Sequence, residues 1–362
     1  MKVSNKRLHS EYIENDKKCQ RYNNLDNFYE ESVDIICTSK TCVHDLNNTN
    51  NKNIKNNKII IKDIKNLNDL INLGRSYNCI STKEYNGINL RILNNIIEPL
   101  EELNNMIGLI ELKNKVISQI LYICRGYNSI KCNSCIDCQL KISCCSNSKE
   151  MLHTVITGPP GVGKTEFARI LSKIYARCGL IKNDKIIEVT RKDLISGYLG
   201  RTAKKTAKIF KKAKHGVIFI DEAYSLGNTG NEDTYSKECI DIINKNLSEN
   251  KDIICIIAGY KEQIDECFFR VNSGLERRFP FRYEINGYSG EELFNILEHK
   301  IKKDNWNIDN LEYDKVKKYI ISNHKIYNNF AGDMETLLMK AKIKNSRNIN
   351  SKNFILNYDD FI

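Results

Sequence analysis

The chain contains no long apolar run. Nowhere in its 362 residues do apolar residues continue for the ~18 positions that a membrane-spanning helix requires. Residues 1–30 also lack the apolar core of a secretory signal peptide. These absences predict a soluble, intracellular protein without a membrane partner. A hydrophobic content of 41% still allows a sizeable buried core.

A concentrated block of basic residues is also missing. The net charge of +11 is compatible with nucleic-acid binding, but the lysines are interspersed with acids and asparagine. The densest basic group would form one face of a helix: Lys204, Lys205, Lys208, Lys211, Lys212 and Lys214. Such a face is more often a solvated surface than a binding site. A nucleic-acid partner is therefore the less favoured interpretation.

The most informative motif is a glycine-rich turn between an apolar run at 152–157 and a helical apolar pattern that starts at Phe167. Its residues match the Walker A pattern, Gly-x4-Gly-Lys-Thr: Gly158, Pro159, Pro160, Gly161, Val162, Gly163, Lys164 and Thr165. Glycines let backbone N–H groups surround phosphates, the lysine reaches the β and γ oxygens, and the threonine holds Mg²⁺. The motif predicts ATP and Mg²⁺ as cofactors.

A second motif completes this site. The apolar run 217–220 leads directly into two adjacent acids, Asp221 and Glu222. An aspartate at the end of such a strand holds Mg²⁺, and a glutamate beside it can polarise the water that attacks the γ-phosphate. The pair therefore predicts ATP hydrolysis.

Fourteen cysteines would suggest disulfides in a small secreted domain, but beside a nucleotide site in a chain of this length reduced thiols are expected. Five of them cluster in a polar insertion at 131–148: Cys132, Cys135, Cys138, Cys144 and Cys145. Four thiolates could hold one structural Zn²⁺, although the spacing differs from paired Cys-x2-Cys knuckles. Zinc binding and unliganded thiols both stay open, whereas an iron–sulfur cluster is disfavoured by the fourth spacing.

The chain divides into three parts. Residues 1–95 form an extension that we expect to be poorly ordered, because asparagine and lysine dominate residues 47–58. Residues 96–287 alternate helical patterns with apolar runs at 152–157, 185–190, 217–220 and 253–258, which predicts an α/β domain with a doubly wound parallel sheet. Residues 288–362 carry mainly helical patterns and are expected to form a lid and tail.

Together these residues resemble the AAA+ ATPases, and in detail the CbxX/CfxQ group of red-type Rubisco activase and the stage V sporulation protein K. The similarity covers roughly residues 99–345 and depends on five segments: 103–109, 193–206, 219–226, 258–261 and 272–280. With its cysteine-rich insertion and Asn/Lys-rich extension, the chain is most similar to CfxQ-like proteins of large DNA viruses. That likeness adds a virion or a viral factory to the cytoplasm as candidate locations.

The resemblance implies further roles. Ile107 and Gly108 match the segment that lines the adenine pocket, and Arg278 matches the arginine finger that acts on a neighbour's γ-phosphate, with Arg277 as the alternative. A finger supplied in trans implies a ring, normally a homohexamer. The stretch between the second strand and its following helix matches the pore loop that grips a polypeptide: Tyr198, Leu199 and Gly200.

The sequence departs from the family at two positions. Tyr260 matches the polar sensor 1 residue, and Glu335 matches the sensor 2 arginine. Either the lid's positive charge comes from elsewhere, such as Lys340 or Lys342, or nucleotide-driven lid motion is weaker.

The favoured interpretation is a ring-forming ATPase that remodels or threads a protein partner. Two alternatives stay open. The net charge of +11 suggests a nucleic-acid-directed motor or loader. The altered sensors suggest a nucleotide-gated scaffold with little turnover.

Overall fold

The computed structural model describes residues 63–78, 84–127, 151–182, 185–198, 200–227, 234–347 and 354–362. The Asn/Lys-rich segment at 47–58 and the cysteine-rich insertion at 131–148 lie outside these ranges. Within the described ranges, no helix is both long enough and apolar enough to cross a membrane.

Before the Walker A motif, the described residues form four helices and a short hairpin. Their bounds, in order, are α1 Leu67–Arg75, β1 Glu84–Tyr85, β2 Ile88–Asn89, α2 Leu90–Asn95, α3 Ile97–Asn105 and α4 Ile110–Cys124. The side chain of Asn66 caps α1 by accepting a hydrogen bond from the backbone amide of Asp69, and the side chain of Asp69 accepts one from the backbone amide of Asn66. The apolar residues of α1 and α2 belong to the same buried cluster as those of α4. The described part of the extension is therefore packed onto the α/β domain.

The α/β domain follows from residue 154. Its elements are β3 Thr154–Thr157, α5 Lys164–Arg177, β4 Ile186–Val189, α6 Arg191–Leu194, α7 Thr202–Lys212, β5 Val217–Ile220, α8 Thr234–Glu249, β6 Ile254–Gly259, α9 Lys261–Ile264, α10 Ser273–Glu276 and β7 Phe281–Glu284. A 3-10 turn, Ala223–Leu226, follows β5, and a π turn, Asp265–Phe269, follows α9.

The five strands form one parallel sheet in the order β4-β5-β6-β3-β7. Strands β3, β5 and β6 are buried along their whole length, as expected for a parallel sheet covered on both faces. The predicted doubly wound sheet is confirmed. Because β3 lies between two strands that come much later in the chain, the carboxyl ends of β3, β5 and β6 open into the crevice where such folds bind ligands.

The helical lid is also confirmed. It comprises α11 Gly290–Lys303, β8 Asn307–Ile308, α12 Tyr313–Ser322, α13 Ala331–Ser346 and β9 Ile355–Leu356, with β8 and β9 paired in parallel. A reciprocal capping box between Ser289 and Glu292 begins α11. Sequence reasoning predicted the helices but not this small strand pair.

A buried hydrogen-bond network lies beneath the Walker A helix. Gln119 on α4 donates to the hydroxyl of Tyr175 on α5 at 2.8 Å, and Tyr175 also contacts the hydroxyl of Thr154 on β3 at 3.0 Å. The hydroxyl of Tyr283 on β7 donates to the side-chain oxygen of Gln119. Four elements are thus joined inside the core, which fixes α5 against the sheet.

Candidate nucleotide site

The Walker A turn needs glycine because of its backbone angles and its close contacts with neighbouring carbonyl oxygens. Gly161 has φ of 71°, which side chains with a Cβ rarely adopt. A Cβ there would overlap the carbonyl oxygen of Asn329 in the lid, and a Cβ at Gly158 would overlap the carbonyl oxygen of Ile285. Gly163, with φ of 91°, is the N-cap residue directly before α5, so the N-terminus of this helix faces the turn.

Lys164 folds back over the turn. Its ammonium donates to the carbonyl oxygens of Gly158 at 2.9 Å and Pro159 at 2.8 Å. Burial lowers the pKa of Lys164, and the carboxylates of Asp221 and Glu222 partly offset that shift. The charge is therefore held in a partly desolvated position where an anion would be bound strongly.

The two acids follow β5 as predicted. The hydroxyl of Thr165 donates to Asp221 Oδ2 at 3.3 Å, and the amide of Glu222 donates to Asp221 Oδ1 at 3.0 Å. Glu222 itself has φ of 50°, so the chain turns sharply at the end of the strand. The hydroxyl and carboxylate oxygens of Thr165 and Asp221 are hard donors, the type that Mg²⁺ prefers.

These groups share one cavity of about 560 Å³. The predicted site residues that line it are Pro160, Gly161, Gly163, Lys164, Thr165, Asp221 and Glu222. Val162 is buried beneath the turn. The opposite wall comes from the lid and includes Lys300, Gly332 and Glu335. We call this space the phosphate cavity.

A second cavity of about 940 Å³ adjoins the first. Ile107 lines it together with Met106, Ile170 and lid residues such as Ile296, so one wall is apolar. Gly108 instead faces the lid: it has φ of 67°, and a Cβ there would overlap the side chain of Glu292.

The lid contacts the Walker A turn through backbone groups of that turn. The amide of Ala331, at the start of α13, donates to the carbonyl of Gly161 at 3.2 Å. The hydroxyl of Tyr288 donates to the carbonyl of Val162 at 2.9 Å. Burial raises the pKa of Tyr288 to about 12, with a smaller effect from Glu292, so this donor keeps its proton at neutral pH.

Both unusual sensor positions face the phosphate cavity. The ring of Tyr260 lies 5.6 Å from that of Tyr224, and the ammonium of Lys164 lies 5.5 Å from the Tyr260 ring. Glu335 pairs with Lys300 at 3.1 Å. Sequence reasoning missed Lys300, since a lysine within the charged helix α11 carries no distinguishing signal.

Neither lysine named as a substitute for the sensor 2 arginine lines the phosphate cavity. Lys342 donates to Asp304 at 2.5 Å and lines the second cavity, while Lys340 is exposed.

Arg278 lies outside both cavities. Its Nε and one terminal nitrogen donate to Ser248 Oγ at 3.1 and 2.6 Å, and the other terminal nitrogen donates to the carbonyl of Gly274. Arg277 is exposed and forms no ion pair with the described residues. The two arginines thus differ: one guanidinium is bound to its own chain, and the other faces solvent.

Tyr198 lies on a loop between α6 and α7, and 69% of its surface is exposed. The guanidinium of Arg201 lies 5.2 Å from the centre of its ring. The hydroxyl of the buried Thr202 anchors the loop by accepting a hydrogen bond from the backbone amide of Ser196 at 3.1 Å. Gly200 has φ of 71° with open space around it. Leu199 lies outside the described residues.

The cysteine cluster also lies outside the described ranges, and the zinc prediction stays a prediction. Among the described residues no group of three or more His, Cys, Asp or Glu could hold a metal ion. Five described cysteines are buried free thiols: Cys124, Cys178, Cys239, Cys255 and Cys267.

Comparison with known proteins agrees with this geometry. Residues 154–285 match the model of the ATPase family associated with various cellular activities (AAA). The chain is 38% identical over 285 residues to a putative cfxQ-like protein, R730, of Acanthamoeba polyphaga mimivirus, covering 78% of this chain and 66% of that protein. It is 35% identical over 175 residues to the stage V sporulation protein K of Bacillus subtilis, covering 48% of this chain and 54% of that protein. It is 37% identical over 170 residues to protein CbbX of Cereibacter sphaeroides, covering 47% of this chain and 55% of that protein.

The chain thus spans between half and two thirds of the length of these relatives. The similarity to the first of them extends well beyond residues 154–285. Residues 154–285 therefore form an AAA ATPase domain, and most of the chain is similar to a protein of the cfxQ-like type.

Proposed function

We propose that this protein binds ATP with Mg²⁺ and hydrolyses it. The observation that carries the proposal is the phosphate cavity, which brings the Walker A turn, Lys164, Thr165, Asp221 and Glu222 together. The ammonium of Lys164, now bonded to two carbonyls of the turn, would exchange these acceptors for β- and γ-phosphate oxygens, which carry full charge.

Thr165 and Asp221 would hold Mg²⁺, which supplies charge neutralisation to the phosphates. Glu222 is the general base for the attacking water. Glu222 lines the same cavity as Thr165 and Asp221.

Two substitutions separate binding from chemistry. Lys164→Ala should weaken ATP binding, because the charge that meets the phosphates is gone. Glu222→Gln should still bind ATP but turn it over at least ~10²-fold more slowly. Glu266→Gln, an exposed acid outside the cavity, is the matched control and should behave as the wild type. Unchanged turnover in Glu222→Gln would remove this residue from catalysis, and absent turnover in the wild type would favour the scaffold alternative.

We further propose that the protein works as a ring, with Arg278 acting on the neighbouring subunit's nucleotide. The family resemblance and the position of Arg278 outside its own chain's cavity support this. Arg278→Ala should bind ATP normally yet hydrolyse poorly, and mixing it with Glu222→Gln subunits should restore activity at mixed interfaces. Arg277→Ala is the comparison variant. If only Arg277→Ala loses hydrolysis, the exposed arginine is the finger, and a monomer with full activity in the presence of ATP would contradict the ring.

The substrate we propose is a polypeptide, gripped by the loop at Tyr198. An exposed aromatic ring can hold an extended chain of any sequence by apolar contact. Stimulation of ATP turnover by an unfolded protein, compared with stimulation by single- and double-stranded nucleic acid, tests this choice. Stimulation by nucleic acid alone would favour the motor or loader alternative.

A further inference from the structure

Lys300 is a cation of the lid that lines the phosphate cavity. It lies on α11, and its side chain is 30% exposed, whereas that of its partner Glu335 on α13 is 75% exposed. Both residues line the phosphate cavity and the second cavity as well. They therefore stand at the junction of the two spaces, opposite the Walker A turn.

The other basic side chains of this cavity already have partners or a role in the Walker A turn. Of the described residues that line it, three are basic: Lys164, Arg169 and Lys300. Lys164 belongs to the Walker A turn, and Arg169 on α5 pairs with Glu166 at 2.9 Å and Glu188 at 3.3 Å. Within the part of the chain that the structure describes, the lid thus contributes one positive group to a cavity that four acids also line.

Glu335 by itself would repel a phosphate. Its carboxylate accepts from the ammonium of Lys300 at 3.1 Å, which neutralises the acid and restrains the flexible lysine. An ammonium has three hydrogen-bond donors, so two remain for a ligand after Glu335 has taken one. The pair therefore presents donors to the cavity from the lid side.

We propose that Lys300, positioned by Glu335, binds the γ-phosphate of ATP and so makes lid closure depend on the triphosphate. This inference depends on the ATPase function proposed above. Because Lys300 is on the lid and Lys164 is on the turn, a γ-phosphate between them is bonded to both halves of the cavity, whereas ADP leaves the lid lysine without that acceptor.

The test compares ATP with ADP. Lys300→Met keeps the apolar stem and removes the charge. The matched control is Lys302→Met on the same helix, because Lys302 pairs with Glu298 at 2.7 Å, is 63% exposed and lines neither cavity. Calorimetry with a non-hydrolysable ATP analogue and with ADP, each with Mg²⁺, should show about tenfold weaker analogue binding in Lys300→Met. ADP binding and the control variant should stay near the wild-type values.

Two further variants make the result specific. Lys300→Arg should retain the preference for the ATP analogue over ADP. The double variant Lys300→Met/Glu335→Lys, which moves the cation across the ion pair, should regain a preference that Lys300→Met has lost. Failure of the double variant to regain it would mean that Lys300→Met acts through the packing of the lid.

The outcomes also separate this inference from the ATPase proposal. If the wild type binds and hydrolyses ATP but Lys300→Met keeps the same ratio of analogue to ADP affinity, only the role of Lys300 is refuted. An equal loss for both nucleotides would place Lys300 on the part that they share, which overturns the γ-phosphate assignment. If the wild type binds neither nucleotide, both proposals fail.

Discussion

Replacing Gln119 by leucine should destabilise the protein, because the buried hydroxyl of Tyr283 then has no hydrogen-bond acceptor. In the native core the amide of Gln119 bonds both Tyr175 and Tyr283. After the change, Tyr175 keeps its contact with Thr154 at 3.0 Å, but the buried hydroxyl of Tyr283 loses its partner. Burial raises the pKa of Tyr283 well above its usual value, so the phenol cannot ionise to relieve this. A buried unsatisfied hydroxyl costs ~1–3 kcal/mol, and we expect a loss of about 2 kcal/mol in the free energy of unfolding.

A double-mutant cycle between Gln119 and Tyr283 makes this prediction specific. Tyr283→Phe alone should cost ~1 kcal/mol, because it leaves the amide oxygen of Gln119 unpaired. In the Gln119→Leu background the same change removes the orphaned hydroxyl and should cost nothing or restore stability. Urea unfolding of the four proteins without nucleotide gives the coupling energy. Additive effects, or a cost below ~0.5 kcal/mol for Gln119→Leu, would refute the network.

Three other changes test separate parts of the molecule. Tyr198→Ala, at an exposed ring, should change stability by no more than ~0.5 kcal/mol and keep basal ATP turnover, while abolishing stimulation by an unfolded polypeptide; a strongly lowered melting temperature would show a packing role instead. Burial lowers the pKa of His153 to about 4, below the ~6.5 of an unfolded chain. Below pH ~6.5 the unfolded chain binds a proton at this residue that the folded protein does not bind, so the free energy of unfolding falls towards pH 4 by up to ~1.4 kcal/mol per pH unit. In His153→Gln the urea midpoint should therefore depend less steeply on pH between 6.5 and 4. Gly161→Ala should cost at least ~1–2 kcal/mol from its left-handed backbone and weaken ATP binding by displacing the lid, whereas Gly197→Ala, with open space around it, should do neither in calorimetry and melting experiments.

The buried strands and the Walker A turn were predictable because local signals coincide there. Apolar runs of strand length stand directly before Gly158 and Asp221, and each leads into residue types that only a few sites use together. Strand β7 was missed. Its four residues alternate in burial and lie at the edge of the sheet, so no apolar run marks them.

The surroundings of Lys300 and Arg278 depend on contacts between residues that are distant in sequence. Lys300 is one of several charged residues on α11, and the feature that distinguishes it is its ion pair with Glu335 on a different helix. Arg278 bonds to Ser248 on α8, and nothing in the sequence around either residue indicates that pairing. Tertiary packing, and no local sequence pattern, determines the partners of these two side chains.

The contact between the lid and the Walker A turn has an evolutionary consequence. The acceptors are main-chain carbonyls of Gly161 and Val162, and one donor is the main-chain amide of Ala331. No substitution deletes a backbone carbonyl, and only proline would delete the amide. The Ala331–Gly161 bond is therefore inherited with the chain path itself. Lid side chains that contact neither the turn nor the phosphate cavity can change during divergence while this contact between the lid and the turn is kept.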